Sequence, residues 1–433
     1  MIFSLDVRRA RKGDCLLLHY GTEDKPGLAL IDGGPKQVYD PHLKPRLMEI
    51  REARELEDEQ PLRVDLLMVS HVDDDHIQGI LDLTRELDEQ AGAPLVTIAR
   101  LWHNSFDEVI GKDPKELTQK VTAQFGAAAL EGEFDEDAAA ALDHDDPAAA
   151  ADTMKVLASI PQGHRLRLDA EALEIAPNPE FDGKLILAAP QPITLPRGLS
   201  LTVAGPLRPE LKALQKKHDE WLKALKEKGM SPKEALAAYV DRSVANLSSL
   251  VVLAEVDGKT MLLTGDARGD KVLEGLEEVG LLKAGKTLHV DLLKVPHHGS
   301  SNNVESDFFD RITADHYVFS GDGEHGNPER ETLEMLLDAR GAAPFTLHFT
   351  YPVDEVDAGR KEDWEKEQAK EVAANKKRKA EGKPPKKVRG DWSPARQSIA
   401  SLLKKQPLSA GQTLEVVPKA KPHVIDLLDP LGF

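Results

Sequence analysis

Six residues constrain this chain more than any others: His71-x-Asp73-x-Asp75-His76. They follow directly on Val64-Asp-Leu-Leu-Met-Val-Ser70, a compact apolar run that reads as a buried strand. Counting Asp74, two imidazoles and three carboxylates are packed where a strand ends and its side chains face a crevice. Carboxylates gathered this closely repel one another unless a cation or solvent offsets their charge. Gly79 is expected to let the chain turn tightly into a helix over 79–89. An exposed acidic turn carrying two incidental histidines is the competing account, since Asp runs are common on surfaces.

Two more strand ends shift the balance. Leu262-Leu-Thr-Gly-Asp266 places a carboxylate after a second apolar run. Val295-Pro-His297-His298-Gly-Ser300 places two imidazoles after a third. Loops at strand ends of a layered α/β structure converge on one edge, and a two-metal hydrolase needs several N and O donors there. Asp266 has the chemistry to bridge two cations. Ordinary polar loop content is the blander account of the His pair.

Composition narrows the alternatives. The chain has 433 residues, 40 % hydrophobic and 30 % charged, which is enough apolar material for a sizeable core. Its formal charge of −19 argues against broad non-specific nucleic-acid binding, though not against a local basic groove. One cysteine, Cys15, excludes an internal disulfide and a Cys-rich zinc ribbon. No apolar run is long enough for a membrane span, and the start does not read as a secretory signal, so a cytoplasmic location is expected.

Short strands are expected at Ile2–Val7, Cys15–Tyr20 and Leu28–Ile31, a helix over 40–56, and a further strand over 96–103. Residues 131–152 hold nine Asp/Glu among many Ala and read as a solvated insertion. The runs 185–189 and 199–204 look strand-like, and 208–228 and 232–240 look helical. A hairpin is expected over 250–263 with its turn at Asp257-Gly258. Helices over 268–278 and 329–340 alternate with strands over 288–295 and 316–320. The window 360–389 holds twelve Lys/Arg and six Asp/Glu and reads as an exposed helix or arm.

In order along the chain, Asp32-Gly-Gly, His71-x-Asp-x-Asp-His76, Thr264-Gly-Asp266 and His297-His-Gly-Ser300 resemble the metallo-β-lactamase fold superfamily. Within it the resemblance is closest to the nuclease-like hydrolase domain of the ComEC type. It extends to Lys12-Gly-Asp-Cys-Leu-Leu17, Asn246-Leu-Ser-Ser-Leu-Val251 and the stretch 320–328. The resemblance implies an α/β fold, a four-layer αββα sandwich. It implies a hydrolase domain over 1–350, a helical insertion at about 110–240 and a basic C-terminal extension over 351–433.

It also implies two divalent metal ions, Zn2+ or Mn2+, held by His71, Asp73, Asp75, His76, Asp266 and His297, with His298 as ligand or substrate contact. Asp32 would buttress the ligating imidazoles, while Ser300, Asn302 and His325 would line the substrate side. Asp75, His298 and His325 are the residues implied to take part in catalysis. Many members carry His where this chain has Asp73, which favours an oxygen-preferring metal such as Mn2+ as a rival to Zn2+. A further ligating His is not obvious; His103, His144 and His164 are the candidates.

The expected function is hydrolysis of a phosphodiester, DNA, RNA or a relative, by a metal-activated water, with no membrane partner. Ester, lactone or amide hydrolysis on the same site is the second expectation, and a regulatory module that binds metal without catalysis the third. Among weaker signals, Lys376–Lys379 and Lys386–Arg389 could steer a polynucleotide or form a solvated helix, with Trp364 and Trp392 beside them. His325 precedes a helix and suits an anion contact or a cap. Asp241–Ser249 and His103-Asn104-Ser105 carry polar groups that turn chemistry explains as well.

Overall fold

The computed structural model describes residues 1–433 apart from 58, 91, 106–161, 213–247, 305–306 and 420. Its strands are β1 (Ile2–Val7), β2 (Leu16–Thr22), β3 (Lys25–Ile31), β4 (Leu62–Val64), β5 (Leu66–Val69), β6 (Val96–Ile98), β7 (Leu101–His103) and β8 (Ile193–Thr194). They continue with β9 (Ser200–Gly205), β10 (Val251–Val256), β11 (Lys259–Leu263), β12 (Leu288–Lys294), β13 (Ile312–Phe319), β14 (Phe345–Phe349), β15 (Gln412–Val416) and β16 (His423–Asp426). The principal helices are α1 (Lys44–Ala53), α2 (Asp74–Glu89), α3 (Gly269–Glu278), α4 (Arg330–Arg340), α5 (Val353–Ala380) and α6 (Ile399–Lys405). The chain is a mixed α/β protein.

One sheet has six strands in the order β16-β1-β2-β3-β5-β7, and a second has eight in the order β15-β14-β13-β12-β11-β10-β9-β8. The period-two side-chain alternation of a strand assigns each residue to one face. In the first sheet Leu17, Leu28 and Leu30 pack outward with Leu47 and Ile50 of α1 and Ile77, Ile80 and Leu81 of α2. In the second, Val251, Leu253 and Leu262 pack outward with Val272 and Leu276 of α3 and Leu333 and Leu336 of α4. The alternate residues Leu16, Leu18, Ala29 and Ile31 of the first sheet share one cluster with Val252, Ala254, Met261 and Leu263 of the second. The two sheets therefore face each other across a common apolar layer, with helices on the outer sides.

Strands β3, β5 and β7 run parallel, as do β11 to β15. Their C-terminal ends carry Asp32, Ser70-His71, Thr264-Gly265-Asp266 and Val295–His298. Two bonds tie the ends together: Leu250 N–H donates to Ser70 O at 2.8 Å, and His297 N–H to Gly265 O at 3.0 Å.

Several expectations change in detail. The run 64–70 is not one strand, because the buried Asp65 interrupts it. Its carboxylate accepts from Tyr20 Oη at 3.0 Å and Arg197 at 2.7 Å, so β4 pairs with β6 while β5 pairs with β3 and β7. The run 96–103 splits in the same way into β6 and β7. Helix α2 begins at Asp74, five residues before Gly79, with Asp74 and Asp75 in the first turn where the helix dipole favours anions. Gly79 therefore does not start the helix. A Cβ there would lie 2.0 Å from Gly33 O, so glycine lets α2 lie directly against the loop after β3.

Residues 185–189 form no strand, whereas 199–204 correspond to β9. Residues 131–152, 213–228, 232–240, 241–247 and His144 lie outside the described residues. The segment 351–433, set apart in the sequence by its charge, adds an edge strand to each sheet: β15 pairs with β14 and β16 with β1. No helix among the described residues is long and apolar enough to cross a membrane.

A histidine ladder joins the two sheets. His316 Nδ1 lies 2.9 Å from His348 Nε2, and His348 Nδ1 lies 3.0 Å from His423 Nε2. Burial lowers all three pKa values, that of His348 to about 2 and that of His423 to about 4. An imidazole depressed in the folded state contributes stability that is present above its unfolded pKa near 6.5 and is lost as pH falls toward the folded value. Urea unfolding should show the protein losing stability between pH 7 and pH 5. Replacing His423 by Phe should reduce that loss by on the order of 1–2 kcal/mol.

Candidate metal centre

The loops after β3, β5, β11 and β12 meet around one buried carboxylate, Asp266. His76 Nε2 lies 3.2 Å and His298 Nε2 3.3 Å from its Oδ1. His297 Nε2 lies 3.4 Å and His71 Nε2 3.7 Å from its Oδ2. Asp73, one residue before α2, reaches within 3.7 Å of His71 Nε2, and Asp75 within 4.0 Å of His298 Nε2. The six residues expected to hold metal, and His298 with them, are thus brought together from three strand ends, those of β5, β11 and β12.

Three of these rings, His71, His76 and His298, are held from behind. His76 Nδ1 pairs with Asp32 Oδ2 at 2.8 Å, and Asp32 also accepts from Ser70 N–H and Ser70 Oγ at 2.7 and 2.6 Å. His71 Nδ1 lies 3.2 Å from Ser70 Oγ, and His298 Nδ1 2.8 Å from Ser320 Oγ. An imidazole whose Nδ1–H is engaged this way presents its Nε2 lone pair to the opposite side. The Nε2 atoms of His71, His76 and His298, with Asp266 Oδ1, are buried without a hydrogen bond of normal geometry. Orphaned buried donors and acceptors are costly, by about 1–3 kcal/mol each, unless an ion or water satisfies them.

The donor set fits a divalent cation. One group that could hold an ion comprises Asp14, His76, Asp266 and His298; another comprises His71, Asp75 and His76. His76 is common to both. The first group contains His298 and not His297, the reverse of the preference drawn from the sequence. The rings and carboxylates also hold one another's charge. Burial opposes charge on Asp266, yet His297, His298, His76 and His71 together hold its carboxyl well below the usual range. Burial also opposes charge on His76, but Asp266 and Asp32 outweigh it and raise its pKa well above the ordinary value. His71, with burial and the neighbouring His76 both against its charge, is pushed down to about 3.

The backbone is strained where these groups are aimed. Asp32, His297 and His298 have φ of 57°, 47° and 52°. Left-handed conformations are uncommon for such residues and persist only where the surroundings enforce them. Gly13 allows another close approach: a Cβ there would lie 1.8 Å from Asp75 O, so the loop carrying Asp14 packs directly on the first turn of α2.

The remaining candidates are more dispersed. His325 lies 3.2 Å from Lys12 Nζ, outside both metal-capable groups. Lys12 is itself held charged: burial opposes its charge, but Glu324, Asp75 and Asp74 raise its pKa. Ser300 Oγ donates to Glu329 at 3.3 Å instead of facing the cluster. Asn302 is exposed, and no described contact joins it to the centre. His103 is buried at the end of β7 in neither group.

Sequence reasoning missed Asp14, Lys294, Ser70 and Ser320 as parts of the site. Asp14 Oδ2 pairs with Lys294 Nζ at 2.7 Å, both about 1 % exposed. Burial opposes the charge of Asp14, but Lys294 and His298 hold its carboxyl far below the usual range. The available signal was a lysine directly after Leu292 and Leu293 at the end of β12, a position whose burial requires a partner for the charge.

No family model matches the chain. Parts of it resemble microtubule-associated proteins. Microtubule-associated protein 1A of Rattus norvegicus is 32% identical over 114 residues, 26% of this chain and 4% of that protein. The Homo sapiens protein of that name is 31% identical over 114 residues, again 26% and 4%. Microtubule-associated protein futsch of Drosophila melanogaster is 44% identical over 61 residues, 13% of this chain and 1% of that protein. The chain thus spans only a few per cent of the length of these curated relatives.

Two outcomes are expected. Zn2+ or Mn2+ should raise the melting temperature of the protein by several degrees, and Asp266→Ala should abolish that rise in a thermal-shift titration. Asp14→Ala, which leaves Lys294 buried without its carboxylate, should cost about 3–5 kcal/mol in urea unfolding, and the Asp14→Ala/Lys294→Met pair should recover much of it.

Proposed function

We propose that this chain is a metal-dependent hydrolase of the metallo-β-lactamase fold superfamily, a four-layer αββα sandwich that cleaves phosphodiesters of nucleic acids or their relatives. The observation that carries the reading is the convergence of three imidazole Nε2 atoms, each with its Nδ1 engaged behind it, on the buried carboxylate of Asp266. The facing sheets and the order of motifs along the chain support it.

Asp14, His76, Asp266 and His298, and His71, Asp75 and His76, would hold one or two divalent ions, Zn2+ or Mn2+, with Asp73 and His297 beside them. Such ions supply the positive charge that stabilises an anionic transition state and acidifies an attacking water. Asp32, Ser70 and Ser320 keep the imidazoles in the tautomer and orientation that ligation requires. The number of carboxylates around the rings favours Mn2+ as a rival to Zn2+. Asp75, on the first turn of α2, would orient a water at the edge of the cluster.

Lys12 pairs with His325 and lies near enough to Asp75 for that carboxylate to help hold its charge. The ammonium of Lys12 suits the non-bridging oxygens of a phosphate, and His325 suits proton delivery to a leaving oxygen. Both nitrogens of His298 face groups of the cluster, so its role is to hold metal and not to move a proton.

Assays with Mn2+ and with Zn2+ should show hydrolysis of bis(p-nitrophenyl) phosphate and of oligonucleotides, lost on adding EDTA. Asp32→Ala should lower kcat/KM about 10–100-fold by loosening His76, and Asp266→Ala should lower it further. Hydrolysis of lactones or carboxylic esters alone would contradict the substrate class. No metal-dependent hydrolysis of any of these would contradict the reading altogether.

A further inference from the structure

Helix α5 is anchored beside the candidate site and ends in a basic tip. Arg360 Nε donates to Gly326 O at 2.9 Å, and Asp363 accepts from the backbone N–H of His325. The helix then runs outward to Lys376, Lys377, Arg378 and Lys379. At a rise of 1.5 Å per residue, those cations lie about 20–24 Å along the axis from Asp363.

The chain does not trail away after α5. It folds back along the helix as a strap. Asn375 and Lys386 exchange two hydrogen bonds of 2.7 Å. Glu371 accepts from Arg389 N–H and Nε at 2.7 and 2.9 Å. Trp364 Nε1 donates to Gly390 O at 2.8 Å, with the Arg389 guanidinium over its ring. These bonds bring together two basic clusters that the sequence separates. Residues 376–389 contain eight Lys/Arg and one Asp/Glu, on a chain whose net charge is −19.

Lys376, Lys377, Lys379, Lys383, Lys386 and Lys387 are exposed. Among the described residues, Lys376, Lys377, Lys379 and Lys387 make no ion pair. Like charges held together on a fixed hairpin repel one another, and a polyanion relieves that repulsion by exchanging its counterions for them. A disordered linker would pay ordering entropy on binding, whereas the pinned strap is already arranged.

We infer that this hairpin is a docking arm for the phosphate backbone of a nucleic acid, so that the chain takes a polymer and not a mono- or dinucleotide. This deepens the phosphodiester reading and rests on it for what the bound polymer undergoes. The span from Asp363 to the tip corresponds to about 6–7 base pairs at 3.4 Å each, so only a longer chain touches both the tip and the His325 loop. The recognition is through charge, since no aromatic side chain lies among the tip lysines to stack on bases.

The test measures binding without catalysis. Fluorescein-labelled single-stranded DNA of 30 nucleotides, RNA of the same sequence and the 30-base-pair duplex are titrated against the whole protein in EDTA over a range of salt. A 4-nucleotide DNA serves as the short control. Lys376, Lys377, Lys379 and Lys387 are changed together to Ala in one variant and to Arg in another. The 30-mers should bind at 50 mM salt and the 4-mer at least about 30-fold more weakly. The Ala variant should lose at least about 30-fold affinity for the 30-mers, and its slope of log affinity against log salt should shrink by about 3. The Arg variant should bind as the unaltered protein does. Hydrolysis of bis(p-nitrophenyl) phosphate should be the same in all three.

Equal binding of the 30-mer by the Ala variant and the unaltered protein, or no binding by the unaltered protein, would overturn the inference. Tighter binding to phosphatidylserine vesicles or polyglutamate than to any 30-mer would also overturn it. If the 30-mers bind through the tip and no phosphodiester is cleaved, the docking arm stands and the hydrolase reading falls. If phosphodiesters are cleaved and the tip lysines do not affect binding, the reverse holds.

Discussion

The buried carboxylate of Asp266 is the point on which this structure turns. Four imidazole nitrogens lie within 3.7 Å of it, and other carboxylates stand behind or beside those rings. A cluster of this composition is unfavourable in an apolar interior unless its charges are matched. Asp32, Ser70, Ser320 and the Asp14–Lys294 pair match the outer atoms of the cluster. The inner atoms are left aimed at one another, and a divalent cation is the chemical species that suits that arrangement of lone pairs.

The fold is arranged to deliver those groups to one place. Parallel strands in both sheets send their C-terminal ends to the same edge, and the common apolar layer between the sheets sets how closely the two sets approach. Backbone-to-backbone contact tightens the approach further. Gly33 and Gly79 let α2 sit on the loop after β3, which places His76 against Asp32. The left-handed residues Asp32, His297 and His298 pay local strain for directions that an ordinary turn would not give. The same edge is the root of helix α5, so any polymer carried by its basic tip is carried on an element fixed to the His325 loop.

Much of this was legible in the sequence. The strand ends at Ser70, Leu263 and Lys294 follow from apolar runs that stop at polar clusters, and the residues after them are the ones that meet. Runs with a strong local signal, such as Ile2–Val7 and the hairpin around Asp257-Gly258, matched residue by residue or nearly so. What was not legible depended on long-range partners. Asp65 breaks an apparent strand because it is satisfied by Tyr20 and Arg197, far away in the chain. Asp14 joins the cluster because Lys294 neutralises it, 280 residues later. The helical start at Asp74 was obscured by reading Gly79 as a turn, when its role is to admit a neighbouring backbone. The strap after α5 looked like a solvated arm because its composition is polar, and only its hydrogen bonds reveal that it is built.

The most direct measurement is anomalous diffraction from crystals of the protein grown with Mn2+ or Zn2+, recorded on both sides of the metal's absorption edge. An edge-dependent peak is expected among Asp14, His76, Asp266 and His298, or among His71, Asp75 and His76. A map with no such peak there, with the imidazoles hydrogen-bonded to one another or to water, would contradict it.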